Sequence, residues 1–278
     1  MAKKRLIPMA ICYDFDGTLA PNNMQEYDFI PAIGVKPKDF WAESRSVAER
    51  NDADTILAYM HLMLKKARAS EVKVTRDAFR AFGSTITLFP GVEDWFARIN
   101  AYGLSRGVRI EHYIISSGLR EMIEGTRIAK EFARIYASGF LYDENGVAAW
   151  PALAINYTTK TQFLFRINKG SHEVYDNTRI NKYVPKSERP MPFSNMVYIG
   201  DGETDIPCFR LVKEEGGHAI AVFKPRNATS KDLTQKLLEE GRANLIAPAD
   251  YREGSTIDSS VKAIIDRVEA TARIGAAR

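Results

Sequence analysis

A chain of 278 residues, 45% apolar and 27% charged, has the composition of a folded globular protein, large enough for one big core or for a core with a smaller domain. Its net charge of +4 is too small and too dispersed for a nucleic-acid footprint, and the basic clusters at Lys3-Lys4-Arg5 and at Lys65, Lys66 and Arg68 read as solvated surface. The two cysteines, Cys12 and Cys208, lie far apart with no histidine at ligand spacing, which argues against structural zinc and for a reducing compartment.

Leu6 to Tyr13 is a short apolar run that ends abruptly in acidic residues, the pattern of a buried parallel strand reaching a polar edge. Basic residues precede it, but it is too short for a signal peptide and lacks a small-residue cleavage site. No segment has the apolar length to cross a bilayer, so the expected location is the cytoplasm. Pro21-Asn22-Asn23 breaks the regularity. From Lys38 to Phe82 the apolar spacing becomes helical. It predicts one helix through Phe40, Trp41, Val47 and Ala48, a second through Ile56 to Leu64, and a third capped by Thr75. This all-helical stretch predicts a small domain over residues 21–87, inserted in a main domain of residues 1–20 and 88–278.

Pro90-Gly91 restarts the main body, with a helix through Trp95, Phe96 and Ile99. A second strand is predicted from Arg109 to Ile115, then a helix from Arg120 to Phe132 and a third strand from Arg134 to Tyr142. Ala148 to Tyr157 reads as a hairpin excursion, and Thr159 opens a helix running to Asn168. The proline-bearing stretch from Gly170 to Asn195 reads as an irregular surface excursion. Strands follow at Met196 to Ile199, His218 to Phe223 and Leu245-Ile246, with a helix around Phe209 and a closing helix from Ser255 to Ala272. Strands alternating with helices imply an α/β fold with a Rossmann-like parallel sheet and right-handed crossovers.

Three of these strands end in polar residues. Asp14-Phe15-Asp16-Gly17-Thr18 follows the first, Ser116 the second, and Asp201-Gly202-Glu203-Thr204-Asp205 the fourth. Carboxyl ends of parallel strands share one edge of the sheet, so these segments can converge. The carboxylates of Asp14, Asp16, Asp201 and Asp205 would repel one another without a cation, and oxygen-only donors suit magnesium. Magnesium keeps open positions for a phosphate, and a lysine nearby would complete the charge balance.

Together, Asp14-Phe15-Asp16-Gly17-Thr18, Ile114-Ile115-Ser116-Ser117-Gly118 and Gly200-Asp201-Gly202-Glu203-Thr204-Asp205 resemble, in order, signatures of the haloacid dehalogenase superfamily. The helical insert resembles the cap placed after the first strand in that superfamily. The resemblance implies that Asp14 is a nucleophile forming an aspartyl-phosphate, and that Asp16 is the acid and base serving the leaving oxygen and the water. It implies that Ser116 holds a phosphoryl oxygen and that magnesium sits on Asp14, the backbone carbonyl of Asp16, and Asp201. Asp205 would be a further ligand or stand behind the ligands. Asp16 also argues for phosphate chemistry over dehalogenation. The phosphate-binding lysine is Lys160, at a helix start, or Lys169 at the other end of that helix, with Lys160 preferred.

More ordinary roles remain for several of these residues. Asp205 can cap the helix at Phe209. Ser116 and Ser117 are alternatives, with the spacing to Gly118 favouring Ser116. His61 reads as helix packing and Cys12 as a small core residue, while His112, His172 and His218 show no acid–base partner in sequence. The implied activity is magnesium-dependent hydrolysis of a small phosphorylated metabolite, with no nucleic-acid or membrane partner. A phosphotransferase and a non-catalytic phosphoryl-binding regulator are the alternatives. The cap resembles those of phosphoserine phosphatases, yet Met24 stands where they typically carry a glutamate and Glu26 is displaced from it.

Overall fold

The computed structural model describes residues 6–276, so the cluster Lys3-Lys4-Arg5 lies outside the described residues. Strand β1 (Ile7–Tyr13) is apolar on both faces, as a central strand of a covered parallel sheet must be. It runs parallel to β2 (Val108–Leu119) on one side and to β5 (Met196–Gly200) on the other, with Tyr13 level with Ile114 and with Ile199. Beyond β2 lies β3 (Arg134–Tyr142), and beyond β5 lie β6 (His218–Phe223) and β7 (Leu245–Pro248), all parallel. Only β4 (Ala148–Leu153) returns antiparallel, along β3, as the expected hairpin. The sheet order is β4-β3-β2-β1-β5-β6-β7. The chain therefore builds to one side of β1, then comes back to build on the other. A crevice opens where the direction reverses, at the carboxyl ends of β1, β2 and β5.

Among the described residues, the chain after β1 and before Pro90 forms four α-helices: α1 (Phe29–Ala32), α2 (Pro37–Asn51), α3 (Thr55–Ala69) and α4 (Arg76–Ser84). Local chemistry sets their ends. Pro37 opens α2, where a missing N–H leaves no helical bond unmade. Asp54 caps α3 by accepting from the amides of Ile56 and Leu57 at 2.9 and 3.0 Å. Thr75 caps α4 by accepting from Ala78 N at 3.2 Å, the role its position predicts.

These helices do not build a core of their own. Phe40, Met60, Met63 and Phe79 belong to one buried cluster with Ile11, Tyr13 and Ile114 of the sheet. Phe79 stacks on Phe140 of β3 with ring centroids 5.7 Å apart. Gly83 lets α4 meet α6 (Arg120–Glu124) closely, since a Cβ there would lie 1.9 Å from the Met122 carbonyl oxygen.

Alternation along β1 divides the main body between two faces. Met9, Ile11 and Tyr13 pack with Trp95 and Phe96 of α5 (Val92–Ser105), and with residues of α11 (Thr256–Ala276) such as Val261 and Ile265. Ala10 and Cys12 point the other way. They pack with Phe163 of α7 (Lys160–Lys169), Phe209 of α9 (Ile206–Glu214) and Leu237 of α10 (Ala228–Glu239).

Several elements depart from the sequence pattern. Strand β2 does not end at Ile115 but runs on through Ser116 to Leu119, with a register shift between Ser116 and Leu119. The helix predicted from Arg120 to Phe132 stops at Glu124, because Gly125 follows and the Thr126 hydroxyl takes the Ile123 carbonyl at 2.7 Å. Helix α10 carries no apolar stripe, since only Thr234 and Leu237 are buried, and periodicity does not announce it. The excursion at 170–195 holds one short helix, α8 (Asn177–Asn181), and single turns. Buried Arg166 pins it by donating to the carbonyls of Glu173 and Val174 at 2.6 and 3.0 Å. Among the described residues no helix is long and apolar enough to cross a membrane.

Candidate active site

The polar strand ends meet in one cleft of about 410 Å³, lined by Asp14, Asp16, Ser116, Ser117 and Asp201 among others. Strand register explains the meeting. Asp14 is one residue past Tyr13, while Ser116 and Asp201 are each two past the partners of Tyr13 on β2 and β5.

Lys160, the first residue of α7, is fully buried behind this cleft. Its Nζ lies 2.9 Å from Asp14 Oδ2 and 2.7 Å from Asp205 Oδ1, with Thr204 Oγ1 at 3.4 Å. Lys169 is elsewhere. It donates to the carbonyls of Ile180 and Lys182 at 2.7 and 3.0 Å and so ties down the excursion. Of the two candidate lysines, only Lys160 touches the acidic group.

Each acid has its own fixing contact. Asp14 Oδ1 accepts from Phe15 N at 2.7 Å. Asp16 Oδ1 accepts from Met24 N at 2.9 Å, so Met24 contributes its backbone to the site. Buried Asp205 accepts from Lys160, from Tyr198 Oη at 2.7 Å, and from the amides of Asp201 and Gly202 at 3.1 and 3.4 Å. Its oxygens are thus largely spoken for by the protein. Gly17 has φ +75°, and a Cβ there would lie 2.0 Å from Asp201 Oδ2, so the carboxylate occupies space that only glycine leaves open. Ser116 Oγ accepts from Gly118 N at 3.1 Å, which leaves its proton free to donate. The Ser117 hydroxyl is buried without a hydrogen-bond partner.

Electrostatics follow from burial. Desolvation raises the Asp14 carboxyl above its ordinary range even though Lys160 opposes it. Asp16 is pushed well up by burial and by the charge of Asp14, and Asp201 by burial and by Asp205 and Asp14. Burial alone would lower the Lys160 ammonium, but Asp14 and Asp205 outweigh it and hold the lysine charged.

Carboxylate oxygens of Asp14, Asp201 and Asp205 lie within 4.8 Å of one another. An all-oxygen set beside a polar cleft, with a glycine cradle under one ligand, fits a hard divalent cation such as magnesium. The side chain of Asp16 is not in that group, being turned toward Met24 N.

Sequence reasoning missed Tyr198 and Trp41 as neighbours of the site, and it singled out Met24 and Glu26 without their contacts. Tyr198 reaches Asp205 from seven residues away, from a strand whose inward face only the sheet packing reveals. Glu26 lines the cleft, held by Trp41 Nε1 at 2.7 Å and Asn23 Nδ2 at 2.8 Å. Met24 is fully buried, and its sulfur accepts from Leu119 N at 3.1 Å. Only the Asn23–Glu26 pair, three residues apart, is local.

Comparison with known proteins agrees with this fold. A protein of Borreliella burgdorferi, described as uncharacterized, is 29% identical over 273 residues, which cover 90% of this chain and 93% of that one. Among solved structures, a HAD family hydrolase of Salmonella enterica subsp. enterica serovar Typhi superposes with a TM-score of 0.57 at 17% identity, covering 94% of this chain and 73% of that one. A phosphoserine phosphatase, solved as a phospho-aspartyl intermediate analogue, superposes with a TM-score of 0.56 at 15% identity over 92% of this chain and 99% of that one. At these identities the two structures establish the fold. The sequence pattern of haloacid dehalogenase-like hydrolases matches residues 11–210, a span that runs from β1 through the last acidic loop. The chain belongs to the haloacid dehalogenase-like hydrolase family.

Proposed function

We propose that the protein is a magnesium-dependent phosphatase that hydrolyses a small phosphorylated metabolite through an aspartyl-phosphate on Asp14. The observation that carries this reading is the buried Lys160 Nζ, 2.9 Å from Asp14 Oδ2, at a cleft that Asp201 also lines. A carboxylate nucleophile meets a phosphate ester only if positive charge surrounds the encounter.

In this reading Asp14 attacks phosphorus and the bond to the ester oxygen breaks. Asp16, whose carboxyl burial and the charge of Asp14 push up, gives its proton to the leaving oxygen. Met24 N occupies its Oδ1, which leaves Oδ2 to carry that proton. Asp16 then takes a proton from the water that attacks the aspartyl-phosphate, and inorganic phosphate leaves. Ser116 donates to a phosphoryl oxygen, and Lys160 offsets charge on the transferring group. Magnesium on Asp14, Asp201 and the Asp16 carbonyl, with Asp205 behind them, would supply the remaining positive charge.

The polar cleft and its modest volume favour a small substrate. Residues 21–87 form the cap in this proposal, and residues 1–20 and 88–278 form the catalytic domain. Two free cysteines agree with a cytoplasmic setting.

The test is phosphate release from an aryl phosphate with and without magnesium. Release only with the metal, and its abolition in folded Asp14→Asn, is the expected result. Activity of Asp14→Asn at the wild-type level, with deamidation excluded by mass, overturns the assignment of the nucleophile. Alcohol acceptors added to the assay separate transfer from hydrolysis. A folded protein that binds magnesium yet forms no beryllium fluoride adduct would instead be a regulator.

A further inference from the structure

Helix α3 carries a closed hydrogen-bond circuit that touches both sides of the catalytic cleft. Tyr59 Oη donates to the Ser117 carbonyl at 2.7 Å. That same carbonyl accepts from Ser138 Oγ of β3 at 3.1 Å, and Ser138 Oγ accepts from Ile155 N at 3.0 Å. The next residue, Asn156, donates through Nδ2 to Asp54 Oδ2 at 2.8 Å. Asp54 is the cap of α3, so the circuit begins and ends on one helix.

Each arm holds one catalytic segment. Ser117 sits between Ser116 and Gly118, whose amide in turn fixes Ser116 Oγ. Asn156 Oδ1 accepts from the amides of Thr158 and Thr159 at 3.1 and 2.9 Å, and its carbonyl accepts from Lys160 N at 3.0 Å. Asn156 therefore builds the first turn of α7, from which Lys160 reaches Asp14. Between the two arms Ile56 lines the cleft. The helix is itself immobilised, because Tyr59, Met60, Leu62 and Met63 are buried in the cluster shared with the sheet.

We infer that Tyr59 and Asp54 are positioning residues: through Ser117 and Asn156 they hold Ser116 and Lys160 at the distances phosphoryl transfer requires. This rests on the phosphatase reading above. The physical ground is that a loop carrying a hydrogen-bond donor for the phosphoryl group has several orientations, and a displacement of about 1 Å at a reacting group can cost about 100-fold in rate. Two hydroxyl donors on one carbonyl restrict that freedom.

The test uses a reciprocal swap. Asp54→Asn keeps the cap of α3, because its Oδ1 still accepts from Ile56 N and Leu57 N. It then turns an amino group against Asn156 Nδ2 and breaks the clasp. Adding Asn156→Asp restores one hydrogen bond with its direction reversed, and the new carboxylate still accepts from Thr158 N and Thr159 N. Expected are a fall in kcat of about tenfold with KM within about twofold in Asp54→Asn, and recovery of most of it in the double variant. Tyr59→Phe should lower kcat similarly.

Amide exchange gives a readout independent of turnover. Gly118 should exchange faster in Tyr59→Phe, and Thr158 and Thr159 faster in Asp54→Asn. Wild-type kcat and wild-type exchange in both folded single variants overturn the inference. Failure of the swap to restore kcat overturns it for Asp54. A wild-type protein that releases no phosphate defeats the phosphatase reading instead, and the exchange rates still decide whether the circuit holds these segments.

Discussion

Lys160 and Asp14 come together at 2.9 Å, the lysine wholly out of solvent and the aspartate nearly so. They are far apart in sequence, and one buried cation serves two buried carboxylates, since Asp205 lies 2.7 Å from the same nitrogen. Such an arrangement is costly to break from one side only. Lys160→Met should lower stability by about 3–5 kcal/mol, because two carboxylates lose their partner, and should lower kcat at least about 100-fold. Adding Asp205→Leu should return part of the stability and none of the rate. Urea unfolding and initial rates check both statements, and a single variant as stable as wild type would show that the carboxylates find another partner.

Magnesium should stabilise the fold through the acidic group formed by Asp14, Asp201 and Asp205. At a concentration of about 100 times its dissociation constant the gain is about 2.7 kcal/mol, read as a rise in the unfolding temperature that chelator reverses. Asp201→Asn should lose most of the rise. An equal rise in that variant would place the ion elsewhere.

Gly17→Ala should act at a distance of one contact. The added Cβ would fall 2.0 Å from Asp201 Oδ2, and φ +75° disfavours any side chain at that position. Asp201 must then move. Weaker magnesium binding by calorimetry and a lower kcat/KM are expected, while the buried core and its unfolding cooperativity stay close to wild type.

A buried chain of hydrogen bonds behind Asp14 predicts a pH effect. Trp95 Nε1 donates to Tyr13 Oη at 2.8 Å, Tyr13 Oη meets His112 Nδ1 at 3.0 Å, and His112 Nε2 meets Asn100 Oδ1 at 3.0 Å. Since Tyr13 receives from Trp95, its own proton goes to Nδ1, and the neutral ring donates from Nε2, a tautomer inferred from these partners. Burial lowers the imidazole from 6.5 to about 3. The unfolded chain binds the proton first as pH falls, so this contribution is fully present above 6.5 and is lost toward 3. The expected slope is about 1.4 kcal/mol per pH unit over that window. Unfolding of wild type and His112→Gln from pH 7 downward checks it: the wild type should lose stability more steeply, and parallel curves would refute a buried neutral imidazole.

Much of this protein was legible before its fold. Apolar runs that end in Asp14, Ser116 and Asp201 can only be strands reaching one edge, because a parallel sheet buries both faces and exposes its ends. The capping role of Thr75, and the residues of β3 and β6, are equally local, depending on a few neighbours in sequence. Helix α10 escaped because it turns little apolar surface to the core, and the helix after Arg120 was overextended because one glycine outweighed its periodicity.

What the sequence determined by itself was the succession of strands and of most helices along the chain and the residue types that end the strands, since these follow from short-range sterics, hydrogen bonding and apolar spacing. Tertiary structure alone decided that Lys160 and not Lys169 reaches Asp14, that Tyr198 and the loop amides share Asp205, and that Tyr59 and Asp54 of α3 close a circuit around the cleft. The contacts of Asp14 with Lys160, of Tyr59 with Ser117 and of Asp54 with Asn156 join residues 146, 58 and 102 apart, and their partners are set by how the sheet and the inserted helices share one buried core.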